Sequence, residues 1–186
     1  DKLFKQGARP TDDNYLLRMN DLFDYETAKY DYFKYNKVGI YEVKAMKSFF
    51  PKIVQVERAR TNSGATPKSF EEKKEVVWNG IHILGRIDRW DETHDGYAII
   101  DYKYKNFYDL RETDDFQKLD VQLPLYALIM KQERGHYPTE ILWFSLKKNP
   151  AFVQAYNPEN LDRFAEELKA FFDKWFTEDV PLQGAE

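Results

Sequence analysis

Gly85-Arg86-Ile87-Asp88-Arg89-Trp90-Asp91 is followed, after the turn-rich Glu92-Thr93-His94-Asp95-Gly96, by Ile99-Ile100-Asp101-Tyr102-Lys103. Two apolar runs joined by a short polar connection predict adjacent antiparallel strands. Strand side chains alternate, so Asp101 and Lys103 share one face while Ile100 and Tyr102 point to the other. With Asp88 opposite on the neighbouring strand, two carboxylates and an ammonium meet on one patch. Each acid closes an apolar run, where a buried carboxylate without a cation is unfavourable. Such a patch suits a hard divalent cation beside a phosphate. The carbonyl of Tyr102 supplies a further oxygen between the two acids.

Working outward, the Asn79-Gly80 pair between 74–78 and 81–90 is a strong hairpin signal. With 97–103 it makes a three-stranded antiparallel meander. On the N-terminal side, residues 14–35 follow the helical period, with Asp12 or Asp13 as cap. A second helical piece, 40–50, is expected to stop before Pro51. Residues 61–69, rich in turn formers, read as an exposed loop. On the C-terminal side, 105–118 is polar and acidic and reads as a loop over the patch. A helix is expected over 119–134, with Pro124 in its first turn. Residues 141–146 form an apolar strand buried on both faces, and 151–156 a short one. The last helix has Asn157 as N-cap, Pro158 at its first position and an aromatic stripe ending in Phe171, Phe172 and Trp175. The stripe reads as core.

The chain has 186 residues, 42% hydrophobic and 32% charged, which suits one soluble domain with a sizeable core. It starts at Asp1, inside a helical pattern, and is expected to be part of a longer protein. It has no cysteine, so disulfides, thiolate zinc sites, cysteine nucleophiles and cysteine-held iron–sulfur clusters are excluded within it. With three scattered histidines, His82, His94 and His136, any metal is expected to be held by oxygen, which favours magnesium, manganese or calcium. The lack of cysteine fits a reducing, cytoplasmic setting, and since no apolar run nears the roughly 20 residues that span a bilayer, no membrane partner is expected. The formal charge is −4, unevenly spread: residues 1–60 carry 12 Lys+Arg against 9 Asp+Glu, residues 61–120 carry 9 against 13. The central acids match a site whose ion neutralises some of them.

Gln122 and Tyr126, four apart, share a helix face. Gly85-Arg-Ile-Asp-Arg-x-Asp91, Ile99-Ile-Asp-Tyr-Lys103 and Gln122-Leu-Pro-Leu-Tyr-Ala127 together resemble the RecB-like nucleases of the PD-(D/E)XK superfamily, as found in bacterial recombination helicase–nucleases. The resemblance covers the central third of the chain. It implies an α/β, restriction-endonuclease-like fold: a central mixed sheet, the antiparallel meander plus further strands, flanked by helices. It also implies metal binding by Asp88 and Asp101, a catalytic Lys103, and a supporting Gln122/Tyr126 pair near DNA. The function implied is a magnesium-dependent deoxyribonuclease of recombination or repair, with a helicase domain or subunit as partner. The rival reading is a catalytically incomplete DNA-binding or scaffolding module.

Two departures stand out. Tyr104-Lys105 replaces the Thr-Gly usual after the lysine, and the early Gly-x-x-x-His block is absent from these residues. Glu57 and Glu75 are candidates for a further acid, each expected to be a surface charge. Arg86 and Arg89 flank Asp88 and are expected to contact phosphates, with one of them able to pair with Asp91 instead. Tyr104, Phe107 and Tyr108 are weighed as base-stacking rings against plain loop packing.

Overall fold

Two residues with left-handed backbone, Asn79 at φ 49° and Gly80 at φ 79°, turn the chain between the first two strands, as a two-residue hairpin requires. In the computed structural model, which describes residues 2–104, 121–147 and 149–177, β1 (Thr66–Trp78), β2 (Ile81–Thr93) and β3 (Gly96–Lys103) form the antiparallel meander. β4 (Glu140–Ser145) joins β3 in parallel, and β5 (Ala151–Gln154) closes the sheet antiparallel to β4. The order is β1-β2-β3-β4-β5. Parallel β3 and β4 need a crossover, and it includes the helix Gln122–Arg134. That helix ends where Gly135, at φ 81°, donates its N–H to the Lys131 carbonyl. This is the mixed, helix-flanked α/β sheet that the sequence led us to expect.

The other helices are α1 (Lys2–Lys5), α2 (Tyr15–Thr27), α3 (Asp31–Tyr35), α4 (Lys37–Lys47), α5 (Phe50–Asn62) and, after the crossover helix α6, α7 (Leu161–Thr177). α6 and α7 cover one sheet face, burying Ile87, Ile99, Ile141 and Trp143 against Ala127, Ile129 and Leu161. α5 covers the other, where Ile53 and Val56 meet Ile100, Leu142 and Phe144. Burial on both faces explains the unbroken apolar run of β4.

Several boundaries differ from the sequence expectation. The single helix over 14–35 is two: α2 stops at Thr27, the chain turns, and Tyr30 takes extended dihedrals before α3. The piece at 40–50 is α4, starting earlier because the Asn36 side chain caps it, accepting from Val38 N–H at 2.8 Å and Gly39 N–H at 3.3 Å. Pro51 starts a helix instead of stopping one, because the first turn has no use for its missing N–H. The loop at 61–69 is mostly structure, with α5 running to Asn62 and β1 beginning at Thr66. β1 lies at the sheet edge and shifts register between Pro67 and Ser69, which is where a strand tolerates proline. α7 follows a short 3₁₀ turn, Pro158–Asn160, capped by Asn157, whose side chain accepts from Glu159 N–H at 3.1 Å. Its stripe is core only at first: Leu161 and Phe164 are buried, while Phe171, Trp175 and Phe176 are exposed. The expected acidic loop at 105–118 lies outside the described residues.

Candidate active site

Strict alternation along β2 fails at Asp88. Ile87 and Trp90 both side with the α6/α7 core, three positions apart, while Arg89 and Asp91 turn to the α5 face, pairing with Glu57 and Arg60 of that helix. Across the ladder, Glu71 lies between the Phe70–Arg89 and Glu72–Ile87 pairs at φ 52°. The reversal leaves Asp88 at the seam. β2 and β3 pair from Thr93–Gly96 up to Arg89–Ile100, and one step further stand Asp88 and Asp101. There the Tyr102 N–H donates to Asp88 Oδ2 at 3.1 Å. A side chain takes the acceptor role that a backbone carbonyl plays lower in the ladder.

Asp101 is nearly buried, 4% exposed, and Lys103 Nζ stands 2.8 Å from its Oδ2. The N–H and C=O of one strand residue leave by the same edge. Because the Tyr102 N–H meets Asp88, the Tyr102 carbonyl also faces the β2 side. Lys103, one residue on, faces β4, its carbonyl accepting from Leu146 N–H at 3.0 Å. The Tyr102 N–H that Asp88 accepts thus belongs to the residue between Asp101 and Lys103, one step past the last β2/β3 pair.

α6 is fixed beside this seam by close approach. A Cβ built on Gly85 would lie 2.7 Å from Tyr126 Cε1, so only glycine lets the ring sit against β2. Gln122 Nε2 donates to the Tyr126 hydroxyl at 2.9 Å, one helical turn away. The three sequence blocks thus meet: Gly85 under Tyr126, Asp88 against Tyr102, Asp101 beside Lys103.

The family model of the PD-(D/E)XK nuclease superfamily matches residues 5–186. The chain belongs to the PD-(D/E)XK nuclease superfamily. No curated protein matches it. A solved structure titled "Crystal structure of SSO0001" is similar at 16% identity, covering 91% of this chain and 82% of that one, with a TM-score of 0.30. That likeness is too slight to bear on the site.

Superfamily nucleases generally use divalent metals, and the donors here suit magnesium. All are hard oxygens, and Asp101 is a buried carboxylate of the kind that a cation stabilises. Among the described residues no group of three or more His, Asp or Glu side chains is gathered as a metal cluster. Two carboxylates and a carbonyl are enough for magnesium, which keeps several of its waters.

Arg86 is exposed, its side chain 63% accessible and paired with Glu71 at 3.0 Å. Arg89 takes the alternative that the sequence left open and pairs with Asp91. It is 1% exposed, on the face opposite Ile87 because of the reversal at Asp88. Its guanidinium grips Asp91 through both oxygens at 2.6 and 3.0 Å, and Glu57 at 2.5 Å. Burial disfavours its charge, but Glu57, Tyr102 and Asp91 outweigh that and hold it protonated far above its ordinary range. Arg60 completes the network, bonding Asp91 at 2.8 Å and Glu140 at 2.9 Å. Glu57, expected at the surface, is 6% exposed. Its burial follows from α5, and Glu57/Arg60 at helical spacing was the available signal. Glu75 is exposed, near His82.

This network floors an apolar cavity of about 380 Å³ between the N-terminal helices and the sheet, with Phe4, Phe23 and Phe50 in its wall. The cavity is on the α5 side, apart from the Asp88/Asp101 seam. Tyr102 joins the two: its hydroxyl accepts from Arg89 Nη1 at 3.5 Å, and burial pushes that phenol above its ordinary value. Tyr104 is exposed; Phe107 and Tyr108 lie outside the described residues. No described helix is long and apolar enough to cross a membrane.

Proposed function

We propose that this chain is a magnesium-dependent deoxyribonuclease domain of the RecB-like type, acting in DNA recombination or repair beside a helicase domain or subunit. The observation that carries the reading is the Tyr102–Asp88 hydrogen bond, which ties Asp88 to the residue between Asp101 and Lys103. Asp88, Asp101 and the Tyr102 carbonyl would hold magnesium, or manganese in its place. A bound ion polarises the phosphate and acidifies a coordinated water.

The remaining work falls to this chain's side chains. Lys103 is placed to neutralise charge building on the phosphate in the transition state. Its pairing with Asp101 keeps the ammonium at the seam in the absence of substrate. Gln122 and Tyr126 support the same edge from α6 and line the approach of the DNA backbone. Arg86, exposed on β2, is available to a flanking phosphate. The lack of cysteine fits a reducing, cytoplasmic setting.

One observation favours a second reading. The described residues gather two acids at the seam, not three, as a DNA-binding or scaffolding module without turnover would. Incubation with single-stranded and duplex DNA plus magnesium or manganese separates the two. Cleavage that Asp101→Ala and Lys103→Ala both abolish is the expected result. Equal degradation by wild type and both variants removes the catalytic assignment, and binding without cleavage selects the scaffold.

A further inference from the structure

α3 and α4 form a small helical hairpin that packs chiefly on itself. α3 buries no residue and α4 buries only Gly39. The contact between them is close: a Cβ at Gly39 would lie 2.3 Å from the Tyr32 carbonyl oxygen. Phe33 is the local anchor, meeting Tyr30 and Tyr32 edge-on at ring distances of 6.2 and 5.2 Å. What the hairpin and the end of α2 leading into it leave outside is unusual. Tyr25, Tyr30, Tyr35 and Tyr41 are between 61% and 72% exposed, and Tyr32 is 45% exposed.

Folding does not account for five open phenol rings on one short segment. An exposed aromatic group of this size marks an interaction surface. Its chemistry narrows the partner. Residues 25–47 carry five lysines, 29, 34, 37, 44 and 47, against Glu26, Asp31 and Glu42, in a chain whose net charge is −4. Lys29 is paired with Glu26 at 2.9 Å and Lys47 with Asp24 at 2.7 Å, and Tyr32 hydrogen-bonds to Glu42. Lys34, Lys37 and Lys44 remain exposed on the hairpin. Lys29 Nζ lies 4.4 Å from the Tyr25 ring centre and Lys34 Nζ 5.1 Å from that of Tyr35. Rings interleaved with ammonium groups fit a flexible polyanion that bears flat apolar faces.

We infer that the α3/α4 hairpin binds single-stranded DNA, with Tyr30, Tyr35 and Tyr41 stacking on unpaired bases and Lys34 and Lys37 contacting phosphates. The site rests on the reading that this chain acts on DNA, and is separate from the Asp88/Asp101 seam. Duplex DNA hides its base faces and would gain only the lysines. The close contact at Gly39 holds the two helices together, so the backbone that carries the rings is already folded before binding.

The test is fluorescence anisotropy of the whole chain with labelled oligo(dT) in EDTA, which stops cleavage and isolates binding. Tyr30→Ala/Tyr35→Ala/Tyr41→Ala should raise Kd at least about tenfold. Lys34→Gln/Lys37→Gln should flatten the slope of log affinity against log salt by about 1.4, at roughly 0.7 per phosphate contact. All five positions are exposed, and circular dichroism checks that the variants fold. Oligo(dT) binding by the triple variant within about twofold of wild type overturns the inference, as does a wild type that does not bind. Self-association lost in the triple variant, without any change in oligo(dT) affinity, assigns the face to a second copy and also overturns it. Asp101→Ala with magnesium is measured in parallel: lost cleavage with tyrosine-dependent binding intact supports both assignments. Failure of cleavage in wild type, with tyrosine-dependent binding retained, faults the seam and supports the hairpin.

Discussion

Asp88 accepts the backbone N–H of Tyr102 at 3.1 Å, at the point where β2 and β3 stop pairing through backbone groups. The carboxylate has two tasks, one as a hydrogen-bond acceptor and one as a charge. Substitution separates them. Asp88→Asn keeps an acceptor oxygen and should unfold within about 0.5 kcal/mol of wild type, while Asp88→Ala should lose about 1 kcal/mol in urea denaturation. Both should lose nearly all cleavage, because neither supplies a charged metal ligand. Wild-type cleavage by Asp88→Asn would remove Asp88 from the metal site.

Gly85 admits the Tyr126 ring, and a methyl group at that position collides with it at 2.7 Å. Gly85→Ala is therefore expected to destabilise the fold by about 1–3 kcal/mol, as overpacking does. If the ring is the cause, Gly85→Ala should cost clearly less in a Tyr126→Leu background. The double-mutant cycle reads the coupling directly, and strict additivity would show that something other than Tyr126 resists the methyl.

The meander was legible because alternation and the Asn79-Gly80 turn are local signals, and the three sequence blocks of the site carry their spacing with them. The harder elements were those whose reasons are tertiary. Residues 66–69, with Pro67 and Lys68, fall in the stretch that reads as a loop, yet open the outer half of β1. An edge strand needs no apolar character on its open side, and lysine and proline there discourage further pairing. Likewise α5 was hidden because Pro51 reads as a stop and Glu57 as a surface charge, and Arg60 lies with Glu57 in the network under the sheet. Their burial is set by Arg89 and Asp91, 32 and 31 residues away in the chain. Which of Arg86 and Arg89 pairs with Asp91 was hidden for a related reason: alternation cannot reveal that β2 reverses its faces at Asp88.

That buried network makes a stability prediction in which two arginines three residues apart behave oppositely. Arg89→Ala strands Glu57 and half of Asp91 without their cation, and breaking a buried pair this way costs about 3–5 kcal/mol. Arg86→Ala removes an exposed partner of Glu71 and should change stability by less than about 0.5 kcal/mol. Denaturant midpoints of the two variants decide it. Equal, small losses would mean that the Glu57–Arg89–Asp91 cluster adds nothing to the fold.

Glu72 on β1 gives the chain a pH signature. Partial burial works against its charge, but Lys74 at 2.7 Å, the Trp90 indole N–H at 2.9 Å and Ser69 outweigh that, and its carboxyl is held below the ordinary 4.5. In the unfolded chain the group titrates at about that ordinary value. The native state therefore binds protons less readily, and the stabilisation is complete above pH 4.5 and declines as pH falls toward the lowered native value. Glu72→Gln keeps an acceptor for Trp90 and loses the charge. Wild type should exceed it in stability near neutral pH, and the gap should close on acidification below 4.5. Urea midpoints across that range measure it, and a gap independent of pH would show that Glu72 acts through packing alone.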